Sequence, residues 1–127
     1  MQYLFLLYSD DTQWNKMTPE QQQQGAAAYF AYTQALKEAG VYVGSNRLRF
    51  AATATTLTVP SPNAKTQVLD GPFADTKEQL GGYFLIDVPD LDAALSWAGR
   101  CPGVHHGKVE VRAIWDMSRA AQAAAAD

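Results

Sequence analysis

Asp70-Gly71-Pro72-Phe73 and the Asp75-Thr76-Lys77-Glu78 that follows put three carboxylates and one ammonium group within nine residues of a Gly-Pro turn. A segment that bends sharply and then holds polar side chains is the form a binding or catalytic loop takes on a rigid scaffold. Asp70 is the candidate catalytic residue: at the end of an apolar strand it can move a proton or accept a bond from a ligand hydroxyl. The same carboxylate can instead fix its own turn by accepting backbone N–H bonds from the residues that follow. Glu78 stands just before Leu80-Gly81-Gly82-Tyr83, where paired glycines let a ligand approach the backbone, and it is a candidate ligand contact. Lys77 can hold a ligand carboxylate as a point charge, or can pair with Asp75 in a solvated cluster of small energetic weight. Gly71-Pro72 supplies backbone geometry, and Phe73 is expected to anchor the loop in the core.

A second constellation lies near the end of the chain. On the strand expected over residues 108–115, Lys108, Glu110 and Arg112 share one face, while Val109, Val111, Ala113 and Trp115 share the other. Glu110 and Arg112 can bind a small acid as an Arg–carboxylate pair, or tie two subunits together. Tyr8 and Tyr29 are expected either to line the same space or to pack in the core. His105-His106 follow a Pro-Gly turn; adjacent histidines seldom converge on one ion, and no metal site is expected. Either of them reaching the cleft would supply an acid–base partner. No Gly-rich phosphate cradle, Ser-His-Asp arrangement or paired CxxC occurs, so no cofactor is expected.

These residues must be positioned by regular elements. Residues 3–8, Tyr-Leu-Phe-Leu-Leu-Tyr, read as a strand buried on both faces, because a half-exposed strand would alternate. Thr18 caps a helix with Pro19 at its first position and Gln21 closing a capping box; Ala26, Tyr29, Phe30, Thr33 and Leu36 form its stripe, and Gly40 stops it. Residues 41–43 begin a second strand that bends or bulges at Gly44-Ser45-Asn46. Residues 53–59 and 65–69 form a hairpin across Pro60-Ser61-Pro62-Asn63, and residues 82–88 form a fifth strand. Asp90 caps a second helix with Leu91, Ala94, Leu95 and Ala98 as its buried stripe, closed by Cys101-Pro102-Gly103. The order β-α-β, hairpin, β-α-β predicts an α+β ferredoxin-like sandwich, an antiparallel sheet with both helices on one face. Residues 1–117 form the single domain, and the Ala-rich residues 118–127 read as a frayed tail.

Composition narrows the function classes. With a net charge of −3 and ten scattered basic residues, the chain has no stripe able to track phosphates, which argues against direct nucleic-acid contact. The first apolar run is too short to cross a membrane. A single cysteine fits a reducing cytoplasm. Charged residues make up only 18% of a chain holding three Trp, six Tyr and five Phe, so some apolar surface is expected to be covered by a second copy. A homodimer follows, its two sheets face to face as a barrel.

Asp70-Gly71-Pro72-Phe73, Lys77-Glu78, Leu80-Gly81-Gly82-Tyr83 leading into Leu85-Ile86-Asp87, and Val109-Glu110-Val111-Arg112 together resemble the YCII-related family, in its DGPF-motif branch, over roughly residues 2–117. The resemblance implies a dimeric ferredoxin-like α/β barrel. It also implies companions of extracytoplasmic-function sigma factors among the branch, and lactone- or chlorohydroquinone-processing enzymes with a His-Asp pair in the wider family. Those enzymes carry their His in the first half of the chain; here none precedes His105, and the first helix offers Gln21–Gln24 and Tyr29. Three functions stay open. The first is binding of a small acidic or hydroxylated molecule by Asp70, Glu78, Glu110, Arg112 and Tyr8. The second is cofactor-free proton transfer by Asp70 on a lactone or hydroxylated ring. The third is service as the protein partner of a sigma factor.

Overall fold

The computed structural model describes residues 1–117. Its elements are β1 (Gln2–Ser9), α1 (Pro19–Glu38), β2 (Tyr42–Arg47), β3 (Thr55–Thr58), β4 (Gln67–Asp70), β5 (Gln79–Asp87), α2 (Leu91–Gly99) and β6 (Lys108–Ala113). Short 3-10 turns occupy Asp11–Lys16, Ala51–Thr53 and Pro102–His105. The expected tail lies outside the described residues.

Four strands pair antiparallel in the order β2-β5-β1-β6, which is the ferredoxin-like arrangement read from the sequence. Along β1 the residues alternate: Tyr3 and Phe5 are buried, and across the register they meet Ile86 and Phe84 on β5 and Ala113 and Val111 on β6. Tyr32 and Leu36 of α1 and Ala94 and Ala98 of α2 join the same cluster, so both helices cover this one face. Phe5, Leu36 and Ile86 are fully enclosed, each stabilising the fold by about 1.5–3 kcal/mol through burial. The Tyr32 hydroxyl donates to the Trp97 carbonyl at 2.8 Å, tying α1 to α2.

Residues of β1 that point the other way, Leu4 and Leu6, are only partly buried. Among the described residues the strand is therefore enclosed on one face, not two. Its unbroken apolar run does not reflect burial by α1 and α2, which both lie on the Tyr3 and Phe5 side.

Local signals fixed the ends of α1 as expected. Thr18 Oγ1 accepts from the Gln21 amide at 3.1 Å while Gln21 Oε1 accepts from the Thr18 amide at 2.9 Å. Gly40 takes φ 73° beyond the last turn, a conformation that glycine adopts without strain. The predicted buried stripe is partly displaced: Tyr32 goes inward, whereas Phe30 is 67% exposed. On α2, Ala94 and Ala98 are buried but Leu91 and Leu95 are exposed.

Strands β3 and β4 pair only with each other, as a separate hairpin with little burial. Phe73, beyond that hairpin, is 92% exposed and anchors nothing in the core. The loop is held instead by backbone bonds, the Gly71 amide donating to the Ala54 carbonyl at 2.7 Å.

Candidate functional site

Leu7 pairs with Gly82 but Tyr8 pairs with Leu80, so Gly81 is a bulge that splays the end of the sheet. A cavity of about 1200 Å³ opens there, between the first half of α1 and the ends of β1, β2 and β5. Leu7, Phe84 and Tyr29 form its apolar floor.

The rim is built by capping chemistry. Asp10 Oδ1 accepts from the Thr12 amide at 3.0 Å and from its hydroxyl at 2.6 Å, starting the turn Asp11–Lys16. That hydroxyl bond, with the amide, holds the Asp10 carboxyl below its ordinary range. Asp11 Oδ2 accepts from the Ala51 amide at 2.9 Å and straps this turn to the turn Ala51–Thr53, 40 residues away. Trp14 of the first turn and Phe50 beside the second thus reach one rim, where the Arg47 guanidinium lies 4.4 Å from the Trp14 ring centre.

Tyr29 is the centre of the site. Its ring stacks on Phe84 with centroids 6.3 Å apart and planes 10° apart. Its hydroxyl would stand 3.0 Å from a Cβ at position 103, which explains a glycine there. Burial pushes this phenol up to about 12, so it is a neutral donor throughout the physiological range. Among the described residues nothing donates to or accepts from it.

Glu78 reaches the cavity from the other side. The Thr76 hydroxyl donates to the Glu78 carbonyl at 2.6 Å, and Gln79 Nε2 donates to the carbonyls of Ala74 and Thr76 at 2.9 and 2.8 Å. These bonds wind residues 74–79 into a fixed loop, and Lys108 Nζ pairs with the Glu78 carboxylate. His106 lines the cavity too, after the turn Pro102–His105.

Of the residues singled out in the sequence, Tyr8, Tyr29, Lys77, Glu78 and His106 line the cavity. Asp70 is exposed at the end of β4 opposite Thr55, outside the lining, and next to Gly71 with φ 101°. Glu110 and Arg112 lie outside it as well, on the sheet face away from the helices: Arg112 Nε donates to Glu110 Oε1 at 3.2 Å, and the Tyr8 hydroxyl reaches the same oxygen at 3.4 Å. Tyr8 therefore links the cavity to that outer pair. Sequence reasoning missed Trp14, Arg47 and Phe50. The Asp10 cap was the available signal for the first, since a capped turn immediately after a strand fixes its aromatic residue. No group of three His, Cys, Asp or Glu side chains among the described residues is disposed to hold a metal ion. No helix among them is long and apolar enough to cross a membrane.

Comparison with known proteins adds the wider frame. An uncharacterized protein of Rhizobium meliloti (strain 1021) is 36% identical over 98 residues, covering 77% of each chain. Among solved structures, 5-chloro-2-hydroxyhydroquinone dehydrochlorinase from Burkholderia phenoliruptrix, in complex with 2,5-dihydroxybenzoquinone, shares the fold: the TM-score is 0.51 at 15% identity, over 91% of this chain and 94% of that one. The pattern of the YCII-related domain matches residues 1–118, and the chain belongs to the YCII-related domain family.

Proposed function

We propose that the chain binds a small hydroxylated ring compound in the cavity between α1 and the bulged end of the sheet. The observation that carries this reading is the Tyr29 hydroxyl, a neutral donor facing a cavity of about 1200 Å³ with no partner among the described residues. Trp14, Phe50 and Phe84 offer flat apolar walls, and Glu78 and His106 add polar groups to the Tyr29 hydroxyl, the mixture typical of small-molecule sites. The hydroxybenzoquinone carried by the solved protein of like fold makes a hydroxylated ring the first class to test.

The reaction class that suits these groups is proton transfer without a cofactor. His106 takes the proton of a ring hydroxyl, Tyr29 donates to the oxygen anion that results, and Glu78 receives a bond from a second hydroxyl. Asp70, exposed and with no side-chain hydrogen bond among the described residues, takes no part in this step. A thermal-shift series with hydroquinone on wild type, Tyr29→Phe, Glu78→Gln and Asp70→Asn separates these roles. The proposal expects the shift to persist in Asp70→Asn and to shrink in Tyr29→Phe and Glu78→Gln. Loss in Asp70→Asn alone would move the site to the hairpin loop.

A second reading concerns protein contact. Leu57, Val68, Leu69 and Phe73 around the hairpin are all exposed, and a two-stranded hairpin is marginal without cover. Among the described residues no helix covers Leu4, Leu6, Tyr83 and Leu85 on the outer sheet face. A second copy is the occupant we propose for the sheet face, with Glu110 and Arg112 at its margin, in the reducing cytoplasm that the lone Cys101 suits. An extracytoplasmic-function sigma factor is the other candidate partner; its co-purification with the tagged chain is the test.

A further inference from the structure

Charge around the cavity is unevenly satisfied. Each carboxylate that lines it already has a protein partner: Asp10 takes Thr12, Asp11 takes the Ala51 amide, and Glu78 takes Lys108. The cations are in the opposite state. Among the described residues Arg47, Arg49 and Lys77 form no close ion pair with any carboxylate, Lys77 acting on Asp10 only as a more distant charge and Arg47 having the Trp14 ring beneath it. Arg47 and Arg49 are two residues apart on an extended stretch, and the Leu48 amide between them donates to the Gly81 carbonyl at 2.9 Å. Both arginines line one recess of about 410 Å³ with Trp14 and Phe50. Trp14, Arg47 and Phe50 also line the main cavity, so the recess is its outer extension.

We infer that this recess is an anion subsite, and that the ligand is a hydroxylated aromatic acid whose carboxylate lies between Arg47 and Arg49 while its ring enters the main cavity. Guanidinium groups match a planar carboxylate with paired N–H bonds, and the Trp14 face keeps the Arg47 plane oriented for them. The nearby Asp10, Asp11 and Glu78 disfavour a dianionic phosphate, which is why a singly charged carboxylate is the better fit. The ring hydroxyl would then meet Tyr29. This inference rests on the small-ring reading above and adds the acidic group and the two arginines.

Isothermal titration of the whole chain with 2,5-dihydroxybenzoate and with hydroquinone, its counterpart lacking the carboxylate, tests it. The expected result is about tenfold tighter binding of the acid, in line with two charge-assisted hydrogen bonds, and a preference that falls with added salt. Arg47→Gln and Arg49→Gln are each expected to bring the two ligands to within about twofold of each other. Arg49→Lys, which keeps the charge without the fork, is expected to restore part of the gap. Equal binding of both ligands to wild type overturns the anion subsite and leaves the ring site standing. A preference that survives both Gln variants also overturns it, moving the carboxylate elsewhere, with Lys77 the next cation to replace. Binding of neither compound would sink the ring site and the subsite together.

Discussion

Tyr29 does two things with one side chain: its ring extends the core by stacking on Phe84, and its hydroxyl faces the cavity. Replacement by Phe separates them. Tyr29→Phe is expected to keep the melting temperature within a few degrees, since no hydrogen bond to the hydroxyl is lost, and to weaken hydroquinone binding by about tenfold. Calorimetry and titration on the same preparations check both halves. The phenol also predicts a pH dependence. An unfolded tyrosine ionises near 10, while burial keeps the folded Tyr29 protonated to about 12. Below pH 10 both states hold the proton, and the stability this group contributes is intact. Between 10 and 12 the unfolded chain releases its proton first, so stability falls as pH rises. Tyr32, raised further by burial, acts in the same direction. Melting temperature followed from pH 8 to 11.5 is expected to decline above 10, and less steeply in Tyr29→Phe. An unchanged profile in that variant would show that the hydroxyl is not sheltered.

At the scale of elements, the register of β2 on β5 decides how the cavity end of the sheet is shaped. A Cβ at Gly82 would stand 2.9 Å from the Asn46 carbonyl oxygen, which belongs to the adjoining strand's rigid backbone. Gly82→Ala is therefore expected to lose about 1–3 kcal/mol in denaturant unfolding, as overpacking against fixed atoms does. Cost near zero would mean that β2 can retreat freely. The same scale explains what the sequence could tell. Thr18, Asp90 and Gly40 announce helix ends because capping and left-handed turns are decided within four residues. The strand order follows from two βαβ units and needs no distant detail. The inward face of α1 was less legible: Tyr29, Phe30 and Tyr32 are near neighbours with similar apolar area, and packing against Phe84 and Trp97 chooses Tyr32 over Phe30. The site was legible in part. Glu78 stood out beside its glycines and Tyr8 at a strand end. Trp14, Arg47 and Phe50 converge through one bond, Asp11 to Ala51, that spans 40 residues and has no local signature.

The described residues present an imbalance between the two sheet faces, one covered by α1 and α2 and the other carrying Leu4, Leu6 and Leu85 with no described helix over them. A dimer through that outer face is expected, and a charge placed in it should break it: Leu6→Asp is expected to convert a sedimenting dimer to a monomer while the far-ultraviolet circular dichroism stays that of the wild type. A wild-type monomer at micromolar concentration would remove the second copy as the cover. Tyr8 connects this face with the cavity through Glu110, so the same variant is expected to weaken ring binding modestly. The most direct test of the site itself is an amide chemical-shift map of the isotopically labelled chain titrated with hydroquinone. Saturating shifts clustered at Gly82, Gly103 and His106, with Asp70 and Gly71 unmoved, are the predicted result. Shifts confined to the Asp70–Phe73 turn, or none at all, would contradict a ligand site between α1 and the bulged sheet.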